Sequence, residues 1–394
     1  MKKLLLATAA MALCASAASA EDVKMGVLLG FTGPLESLAP AMAAGAEMAM
    51  KEVSDSGKLL DGDTVTPVRG DSTCVDAAAA TAAGETLVTS DGVKGILGAM
   101  CSGATTAVLQ NVALPNGMVM ISPSATSPAL STVEDNGLFF RTAPSDARQG
   151  EVMADEILEK GLKSVAVTYT NNDYGKGLAD SFQKAYEAKG GKVTISAAHE
   201  DGKGDYSAEV GALASAGGDA LVIAGYIDQG GSGILRGALD TGAFDTFVFP
   251  DGMVSQTLQD NFGSEINGSF GQLPDSEGQG MDTYLTMAKD AGFDGTSAYS
   301  GASYDGAALM LLAMQAAGST DPNVYKDKIM EIANGPGEKI YPGDLAKGLE
   351  LLKEGKPIDY EGATAVNLVG SGEAAGTFRE IEIKDDKIET VKYR

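Results

Sequence analysis

Residues 95–128 read GILGAMCSGATTAVLQNVALPNGMVMISPSATSP. The pattern predicts a buried strand at Gly95–Met100, a helix at Gly103–Ala113 and a second strand at Met118–Ser122. A strand, a helix and a strand in this order form a right-handed crossover between parallel strands, with the helix on one face of the sheet. The stretch therefore predicts an open α/β sheet.

Hydroxyl-bearing turns follow both strands of this unit. Ser102 comes after the first strand and opens the helix, while Ser124, Ala125 and Thr126 follow the second strand. Open α/β sheets bind ligands at the carboxyl ends of their strands, and the free amides of a helix's first turn attract anions. The alternative is purely structural, because serine is a common helix N-cap and Ser-Pro sequences form turns. Together the two turns favour a site for a carboxylate.

Strand–helix alternation continues along the chain in two consecutive sets. The first set also contains the strands Val23–Gly30 and Thr64–Asp71 and the helices Ala39–Val53 and Val75–Thr89. The second set comprises the strands Ser164–Thr170, Lys192–His199, Asp219–Gly225 and Thr246–Pro250 and the helices Gly175–Lys189, Tyr206–Ala216 and Gly233–Leu239. Two such sets predict an α/β fold of two doubly wound parallel-sheet lobes.

The two lobes are expected to be discontinuous in sequence. Phe139–Thr142 is interpreted as an extended crossing, and the helices after the second set are too many for one lobe, so the chain should return to the first. We predict an N-terminal lobe of 21–141 plus about 275–360 and a C-terminal lobe of 142–274 plus about 361–394. A hinge with several crossings closes through dihedral changes at a few residues. The later predicted elements are the helices Glu277–Ala291 and Tyr304–Ala317, an insertion at Pro336–Lys356 with a helix at Leu345–Glu354, and a closing hairpin of Phe378–Ile383 and Lys387–Lys392.

The N-terminus has the composition of a cleaved secretory signal. It begins with the positive sequence MKK, continues with the apolar run Leu4–Leu13 and ends with the small residues ASA at 18–20. Residues 1–20 are therefore predicted to be removed, and the mature chain is expected in the periplasm. The alternative is a lipoprotein anchor at Cys14, but Leu13 is bulky where such an anchor needs a small residue.

Loss of the signal leaves two cysteines, Cys74 and Cys101. In an oxidising compartment an even pair of cysteines favours a disulfide. The alternative is a nucleophilic Cys101. The single histidine, His199, lies in a charged, glycine-containing stretch, and nothing in the sequence places it beside Cys101.

The chain is strongly acidic, with a formal net charge of −25 that becomes −27 once Lys2 and Lys3 are lost. This charge excludes nucleic acid as a partner, since phosphate binding needs a basic face, and it favours docking on basic protein surfaces. One histidine cannot form a multi-histidine metal site, and the sequence contains no Walker loop and no Gly-x-Ser-x-Gly. We therefore predict no metal and no cofactor.

One glycine-rich stretch offers an enzymatic alternative. Gly231–Gly237 follows a predicted strand and opens a helix, and Asp251 comes 20 residues after Gly231, as in a dinucleotide-binding fingerprint. The glycine spacing is Gly-x-Gly-x-x-x-Gly, however, which differs from that fingerprint. An NAD-dependent enzyme therefore remains a minor alternative.

Strand ends of the second set carry aromatic and acidic residues. Tyr174 lies at a strand-to-helix turn, Tyr226 follows the strand Asp219–Gly225, and Asp251 follows the strand Thr246–Pro250. A carboxylate with aromatic neighbours suits a cationic amine through charge pairing and contact with a ring face. The structural alternative is packing for the tyrosines and a turn for Asp251.

Several of these sequences together resemble the periplasmic leucine/isoleucine/valine-binding protein family, the type I solute-binding proteins of ABC importers. The resemblance covers nearly all of the mature chain. It is carried by Gly33-Pro34, Cys74, Cys101-Ser102, Ser122-Pro123-Ser124-Ala125-Thr126-Ser127-Pro128, Asn172-Asp173-Tyr174-Gly175-Lys176-Gly177, Gly225-Tyr226 and Ile234-Leu235-Arg236. The resemblance implies that residues at Ser102, Ser124 and Thr126 hold a ligand carboxylate. It implies that Tyr174, Tyr226 and Asp251 face the ligand from the other lobe, with the acid receiving the amine.

Two positions depart from the branched-chain amino-acid binders of that family. An aromatic residue is frequent near the position of Leu38, and a glutamate is frequent where Asp251 stands. The expected function is extracytoplasmic capture of a branched-chain or aliphatic amino acid, or a related small carboxylate, for an ABC permease. We expect the protein to be a monomer. A sensor that uses the same cleft for a similar ligand is the alternative.

Overall fold

The computed structural model describes residues 20–394 and contains two large sheets, one in each lobe. The predicted signal falls almost entirely on residues 1–19, which lie outside the described residues. Each sheet has seven strands, and most neighbouring strands are parallel. The predicted fold of two doubly wound α/β lobes is confirmed. From residue 20 onward, every helix is too short or too polar to cross a membrane.

The first sheet combines five strands from the N-terminal part with two short strands from near the C-terminus. In spatial order it consists of Leu368–Val369, Glu373–Ala374, Phe139–Arg141, Met120–Ser122, Ile96–Gly98, Asp22–Leu29 and Thr64–Asp71. Its first helices are Ala39–Ser56, Ala77–Glu85, Ser102–Val108 and the short Leu114–Asn116. Ala77–Glu85 continues as a π-helical turn at Thr86–Asp91, and Ser102–Val108 continues as one at Leu109–Ala113. Later in the chain the same lobe gains Gln279–Ala291, Ser300–Ala317, Pro322–Tyr325, Ile329–Ala333 and Leu345–Lys353.

The second sheet ends in an antiparallel hairpin. In spatial order it consists of Lys387–Tyr393, Phe378–Lys384, Phe270–Pro274, Phe247–Phe249, Ala220–Ala224, Ser164–Thr170 and Lys192–His199. Its helices are Asp146–Glu159, Asp173–Ala188, Ser207–Ala216, Gly230–Thr241 and Gln256–Phe262. The predicted strands Thr64–Asp71, Ser164–Thr170 and Lys192–His199 have the observed bounds.

Two expectations about the lobe boundaries need correction. Phe139–Thr142 was expected to cross between lobes, but Phe139–Arg141 pairs in parallel with Met120–Ser122 as a strand of the first sheet. Residues from about 361 onward were expected in the C-terminal lobe, but Leu368–Val369 and Glu373–Ala374 also belong to the first sheet. Both corrections have one cause, because Glu373 pairs with Arg141 and extends the sheet beyond that strand.

Three connections therefore join the lobes. They follow the strand Phe139–Arg141, the strand Phe270–Pro274 and the strand Glu373–Ala374. The three connections form the hinge, and a few residues in each of them can absorb the dihedral change of closure.

Helix Ser300–Ala317 forms the centre of the first lobe and is buried along nearly its whole length. It packs against Ala39–Ser56, where a side chain on Gly45 would overlap the Ser300 carbonyl oxygen. Within it, Asp305 accepts hydrogen bonds from the Tyr360 hydroxyl at 2.8 Å and from the Ala363 amide at 2.7 Å. Asp305 thus ties the helix to the chain that follows the insertion.

The predicted insertion is part of the first lobe and not a separate unit. Strand Glu338–Ile340 pairs in parallel with Ile358–Tyr360, and helix Leu345–Lys353 packs on Ser300–Ala317. Glu52 accepts a hydrogen bond from the Leu345 amide at 2.8 Å. These contacts fix the start of the insertion helix to the lobe.

Candidate ligand-binding site

A small cavity lies in the cleft between the lobes, at the carboxyl ends of strands from both sheets. Its volume is only about 10 Å³. Its walls are Leu35, Leu38, Met100, Cys101, Ser102, Ser124, Tyr174, Tyr226, Asp251, Gly252 and Tyr299. Five of the seven predicted ligand-binding residues therefore line one cavity, and the other two, Ala125 and Thr126, lie behind Ser124 in the same loop.

The lobes touch each other directly at the edge of this cavity. The Ser37 amide donates to Asp228 Oδ2 at 2.9 Å, and the Asp228 amide donates to the Pro34 carbonyl at 3.1 Å. Thr106 Oγ1 lies 3.4 Å from Asp173 Oδ2 in a further contact between lobes. These contacts define a closed arrangement of the cleft.

A disulfide holds the first wall of the cavity. Cys74 and Cys101 are bonded, with their Cα atoms 5.1 Å apart. Cys101 is the N-cap of helix Ser102–Val108, so the bond positions Ser102 at the cavity. Ser102 Oγ accepts from the Ser127 amide at 3.1 Å, and its hydroxyl proton has no acceptor among the described residues. That proton remains available to a ligand.

The loop of the second predicted turn uses most of its polar groups internally. Ser122 Oγ donates to the Ala99 carbonyl at 2.6 Å and accepts from the Ala125 amide at 2.9 Å. Ser124 Oγ donates to the Met100 carbonyl at 2.7 Å. Thr126 Oγ1 is buried and has no well-formed hydrogen bond among the described residues. Of the predicted carboxylate ligands, Ser102 thus keeps a free hydroxyl donor on the cavity wall, whereas the Thr126 hydroxyl is buried beside Asp146.

The sequence interpretation missed the residue that holds this loop in place. Arg141 is 1% exposed and donates to the Ala125 and Ser127 carbonyls at 2.9 Å each. Its guanidinium also donates to Ser131 Oγ at 2.7 Å and to Glu373 Oε2 at 2.5 Å. An arginine within an apolar strand such as Phe139–Arg141 is the signal that could have revealed it, since such a charge is rarely buried without partners.

The opposite wall presents two stacked rings and an acid. The rings of Tyr174 and Tyr226 lie 5.2 Å apart between centroids and 11° from parallel. Asp251 Oδ1 accepts from the Tyr174 hydroxyl at 2.9 Å and from Gln149 Nε2 at 2.8 Å. Asp251 Oδ2 accepts from the Tyr299 hydroxyl at 2.7 Å. Burial raises the pKa of Asp251, although these three hydrogen bonds oppose the shift.

A second buried acid lies beside Asp251. Asp146 opens helix Asp146–Glu159 and is fully buried, and its carboxylate has no well-formed hydrogen bond among the described residues, although the Thr126 hydroxyl interacts with it and lowers its pKa. Its own amide donates to the Thr126 carbonyl at 2.8 Å, which places it behind the cavity. Burial, and secondly the charge of Asp251, raise the pKa of Asp146 well above its ordinary value. Gln149 Oε1, one turn further along this helix, is also buried without a donor.

The missed groups therefore form a cluster of buried acceptors next to the predicted amine site. Unpartnered acceptors in a protein interior are uncommon and call for an explanation. Neither Asp146 nor Gln149 lines the cavity, so a ligand ammonium, which carries three donors, would meet Asp251 first.

Neither catalytic alternative is supported by the arrangement of these residues. His199 is in a strand of the second sheet, whereas Cys101 lies in the first lobe. Burial lowers the pKa of His199 to about 4, so its ring is neutral at pH 7. In the glycine-rich stretch, a side chain on Gly231 would overlap Met253 Sδ, and one on Gly233 would overlap the Tyr206 ring. These glycines make room for packing within the lobe.

The fold and the cleft together define a two-lobed periplasmic binding protein. The family model described as periplasmic binding protein matches residues 22–332. A Leu/Ile/Val-binding protein homolog of Brucella melitensis biotype 1 is 32% identical over 331 residues, which cover 82% of this chain and 86% of the relative. The Leu/Ile/Val-binding protein of Citrobacter freundii is 30% identical over 252 residues, covering 64% and 67%. The chain belongs to the leucine/isoleucine/valine-binding protein family of periplasmic binding proteins.

Solved structures show the same fold. The leucine binding protein LivK of Thermotoga maritima superposes with a TM-score of 0.79 at 22% identity, covering 94% of this chain and 98% of the other. A solute binding protein of R. palustris in complex with benzoate superposes with a TM-score of 0.74 at 18% identity, covering 94% and 96%. The family and fold are those of substrate-binding proteins.

Proposed function

We propose that the protein captures a branched-chain or aliphatic amino acid in the extracytoplasmic space and delivers it to an ABC permease. The observation that carries this proposal is the opposite chemistry of the two cavity walls. The first wall offers the Ser102 hydroxyl beside the first turn of a helix, which suits a carboxylate. The second wall offers Asp251, with Asp146 behind it, which suits an amine. An α-amino acid carries both groups on one carbon.

Apolar side chains and the small size of the cavity restrict the rest of the ligand. Leu35, Leu38 and Met100 supply aliphatic surface at the cavity. The space between the walls is only about 10 Å³, so the walls must separate to admit a ligand. The apolar walls and the narrow space favour a short aliphatic side chain on the ligand.

A small carboxylate without an amine is the second candidate, and one observation favours it. Asp251 already accepts hydrogen bonds from Gln149, Tyr174 and Tyr299, so a ligand without an amine does not leave that acid without partners. Asp251 is nevertheless the acid on the cavity wall, and burial raises its pKa, so an ammonium beside it would stabilise its charged form. This pairing at Asp251 is the reason that we place the amino acid first.

Calorimetric titration with leucine, valine, alanine, 4-aminobutyrate and 4-methylpentanoate tests the proposal. Leucine and 4-methylpentanoate form a matched pair, because they share carboxylate and branched tail and differ in the amine. We expect leucine or valine to bind at least ten-fold more tightly than 4-methylpentanoate, since an unpaired buried group costs about 1–3 kcal/mol. Equal affinity for the pair would instead support the plain carboxylate.

Scattering and uptake experiments test closure and delivery. Because Tyr299 and Asp251 meet across the hinge only in the closed cleft, ligand should shift the population toward the closed form and lower the radius of gyration. Deleting the gene should abolish uptake of radiolabelled ligand at low concentration, and the wild-type gene should restore it, whereas Ser102→Ala should restore it only at about ten-fold higher ligand concentration. Uptake that persists after deletion would contradict the role in import.

Export is tested on the protein purified from the periplasm. Its N-terminal sequence should begin at Glu21 if the predicted signal is cleaved. An N-terminus at Cys14 carrying lipid would instead support the lipoprotein alternative.

A further inference from the structure

A second, larger cavity lies in the hinge. It contains about 830 Å³ of space not occupied by protein atoms, part of it open to solvent. All three connections between the lobes contribute to its walls, through Thr142, Pro274 and Gly376 among others. The cavity is separate from the cleft, although Tyr299 lines both.

The walls of this hinge cavity are mainly apolar. Leu273, Met281, Leu285, Ala302 and Val366 supply aliphatic surface. The part of this space that a molecule can occupy is about 120 Å³. That is smaller than the roughly 300–1,000 Å³ typical of drug-sized sites, but it is close to the roughly 150 Å³ of an apolar cavity that binds benzene.

The charged side chains of the wall neutralise each other. Arg379 Nε lies 2.7 Å from Asp275 Oδ2, and the two side chains are 16% and 18% exposed. A charged molecule would have to compete with this pair for either partner, at the expense of its own hydration. The remaining polar groups on the wall, such as Asn367, Ser297 and Tyr393, are uncharged at neutral pH. The cavity therefore suits a molecule without net charge.

We infer that the hinge cavity is a second small-molecule site, which takes an uncharged, largely apolar molecule with one hydroxyl or carbonyl group. This site is distinct from the cleft and does not depend on the proposed function. The walls belong to both lobes, because Ala302 is in the first lobe and Leu273 is in the second. The shape of the cavity must change when the lobes open, so an occupant has different contacts in the open and closed forms.

Tyr299 connects the two cavities. Its backbone is left-handed, with φ of +62°, which is uncommon for a residue other than glycine. Its ring lines both cavities, and its hydroxyl donates to Asp251 Oδ2 at 2.7 Å. A molecule packed against this ring in the hinge therefore changes affinity in the cleft, and the effect is reciprocal by thermodynamic linkage.

The site is tested by calorimetric titration with 4-methylphenol as the probe, a small, uncharged and largely apolar molecule with one hydroxyl group. We expect saturable binding of one probe per chain to the wild-type protein. Val366→Phe fills the cavity and should lower the affinity for the probe at least ten-fold. Val324→Phe makes the same change at a residue that is 47% exposed and away from the cavity, and it should leave probe affinity unchanged.

A second cavity-filling variant keeps the test decisive if the first variant does not fold. If Val366→Phe lowers the thermal midpoint so far that it is not folded, Gly301→Leu replaces it. A Cβ atom at Gly301 would meet Ala363, Met281 and Thr364 at 3.4 Å, which is ordinary contact. Unchanged probe affinity in the folded filling variant, or no saturable binding to the wild type, overturns the proposal.

Ser124→Phe fills the cleft instead and separates the two sites. Probe affinity should stay within about three-fold of wild type in this variant, and its loss would place the probe in the cleft and overturn the proposal. Saturating probe should change the dissociation constant of leucine at least three-fold in the wild type and less in Tyr299→Phe. If leucine does not bind at all, the proposed function fails, while the probe titrations still decide the hinge site.

Discussion

The two lobes differ in how completely their buried charged side chains are hydrogen-bonded. In the first lobe, Arg141 donates four hydrogen bonds and Asp305 accepts four, including two from Thr364. In the second lobe, both oxygens of Asp146 and one oxygen of Glu156 are buried without a well-formed hydrogen bond among the described residues. Fully paired groups fix a structure, whereas unpaired groups gain from any new partner. The first lobe is thus a fixed platform, whereas the second contains buried acids that lack such pairing.

The largest loss of stability is expected from a substitution of Arg141, in the fixed platform of the first lobe. Arg141→Leu should lower the free energy of unfolding by about 3–5 kcal/mol, because it removes one partner of a buried ion pair and leaves two loop carbonyls unpaired. Urea titration measures the change. The matched control is Arg148→Leu, whose side chain is 45% exposed and pairs weakly at 3.8 Å, and it should change stability by less than about 0.5 kcal/mol. Equal effects of the two variants would show that Arg141 does not support the loop.

The disulfide should contribute the next largest effect. Closing a loop with a sequence separation of 27 residues stabilises the native state by about 3–4 kcal/mol on the loop-entropy model. Dithiothreitol should therefore lower the thermal midpoint of the wild type and leave a Cys74→Ser, Cys101→Ser double variant unaffected. Two titratable thiols in protein denatured without reductant would contradict the bond.

Ser102→Ala should weaken any carboxylate ligand. A hydrogen bond to a charged group contributes about 1.5–3 kcal/mol, which corresponds to a loss of affinity of roughly ten-fold or more. Ser124→Ala is the matched control and should cost less, because the Ser124 hydroxyl already donates to the Met100 carbonyl. Calorimetry compares the two variants. A larger loss from Ser124→Ala would reverse the assignment of the carboxylate donors.

The buried Glu156 of the second lobe should make the stability of the protein depend on pH. Burial, and secondly the charge of Glu380, raise the pKa of Glu156 to about 9 from its ordinary value of 4.5. Between these values the native state binds a proton that the unfolded state has released. Stability should therefore fall as pH rises through this window, by up to about 1.4 kcal/mol per pH unit.

Glu156→Gln should remove this part of the slope, so the variant should gain stability over wild type from pH 6 to pH 8. Glu151→Gln changes an exposed side chain on the same helix and is the control. Parallel stability curves for wild type and Glu156→Gln would contradict a protonated Glu156.

The sequence predicted the elements with strong periodicity and missed those defined by distant contacts. Apolar runs of seven or eight residues, such as Ser164–Thr170, gave strands with the observed bounds. Strands Leu368–Val369 and Glu373–Ala374 have two residues each, which is too short for any periodic pattern. Helix Asp146–Glu159 was missed although Ser145 caps it by accepting from the Ala147 amide.

In the candidate site too, local sequence patterns predicted some residues, and residues that act through distant contacts were missed. Strand-end residues such as Ser102 and Asp251 could be placed from local pattern and resemblance, because parallel strands end at one edge of a sheet. The role of Arg141 could not, because its partner Glu373 lies 232 residues away in sequence. Tyr299 likewise reaches Asp251 only from the other lobe, and Gln149 reaches it within the second lobe from 102 residues away in sequence.

The central claim is that the two walls of the cleft recognise the two ends of one amino acid. Calorimetry of wild type and Asp251→Asn with leucine and with 4-methylpentanoate tests it most directly. The account predicts that wild type prefers leucine at least ten-fold and that Asp251→Asn loses this preference, while the affinity for 4-methylpentanoate changes little. If Asp251→Asn binds leucine as tightly as wild type does, no amine is held at Asp251 and the amino-acid assignment is wrong.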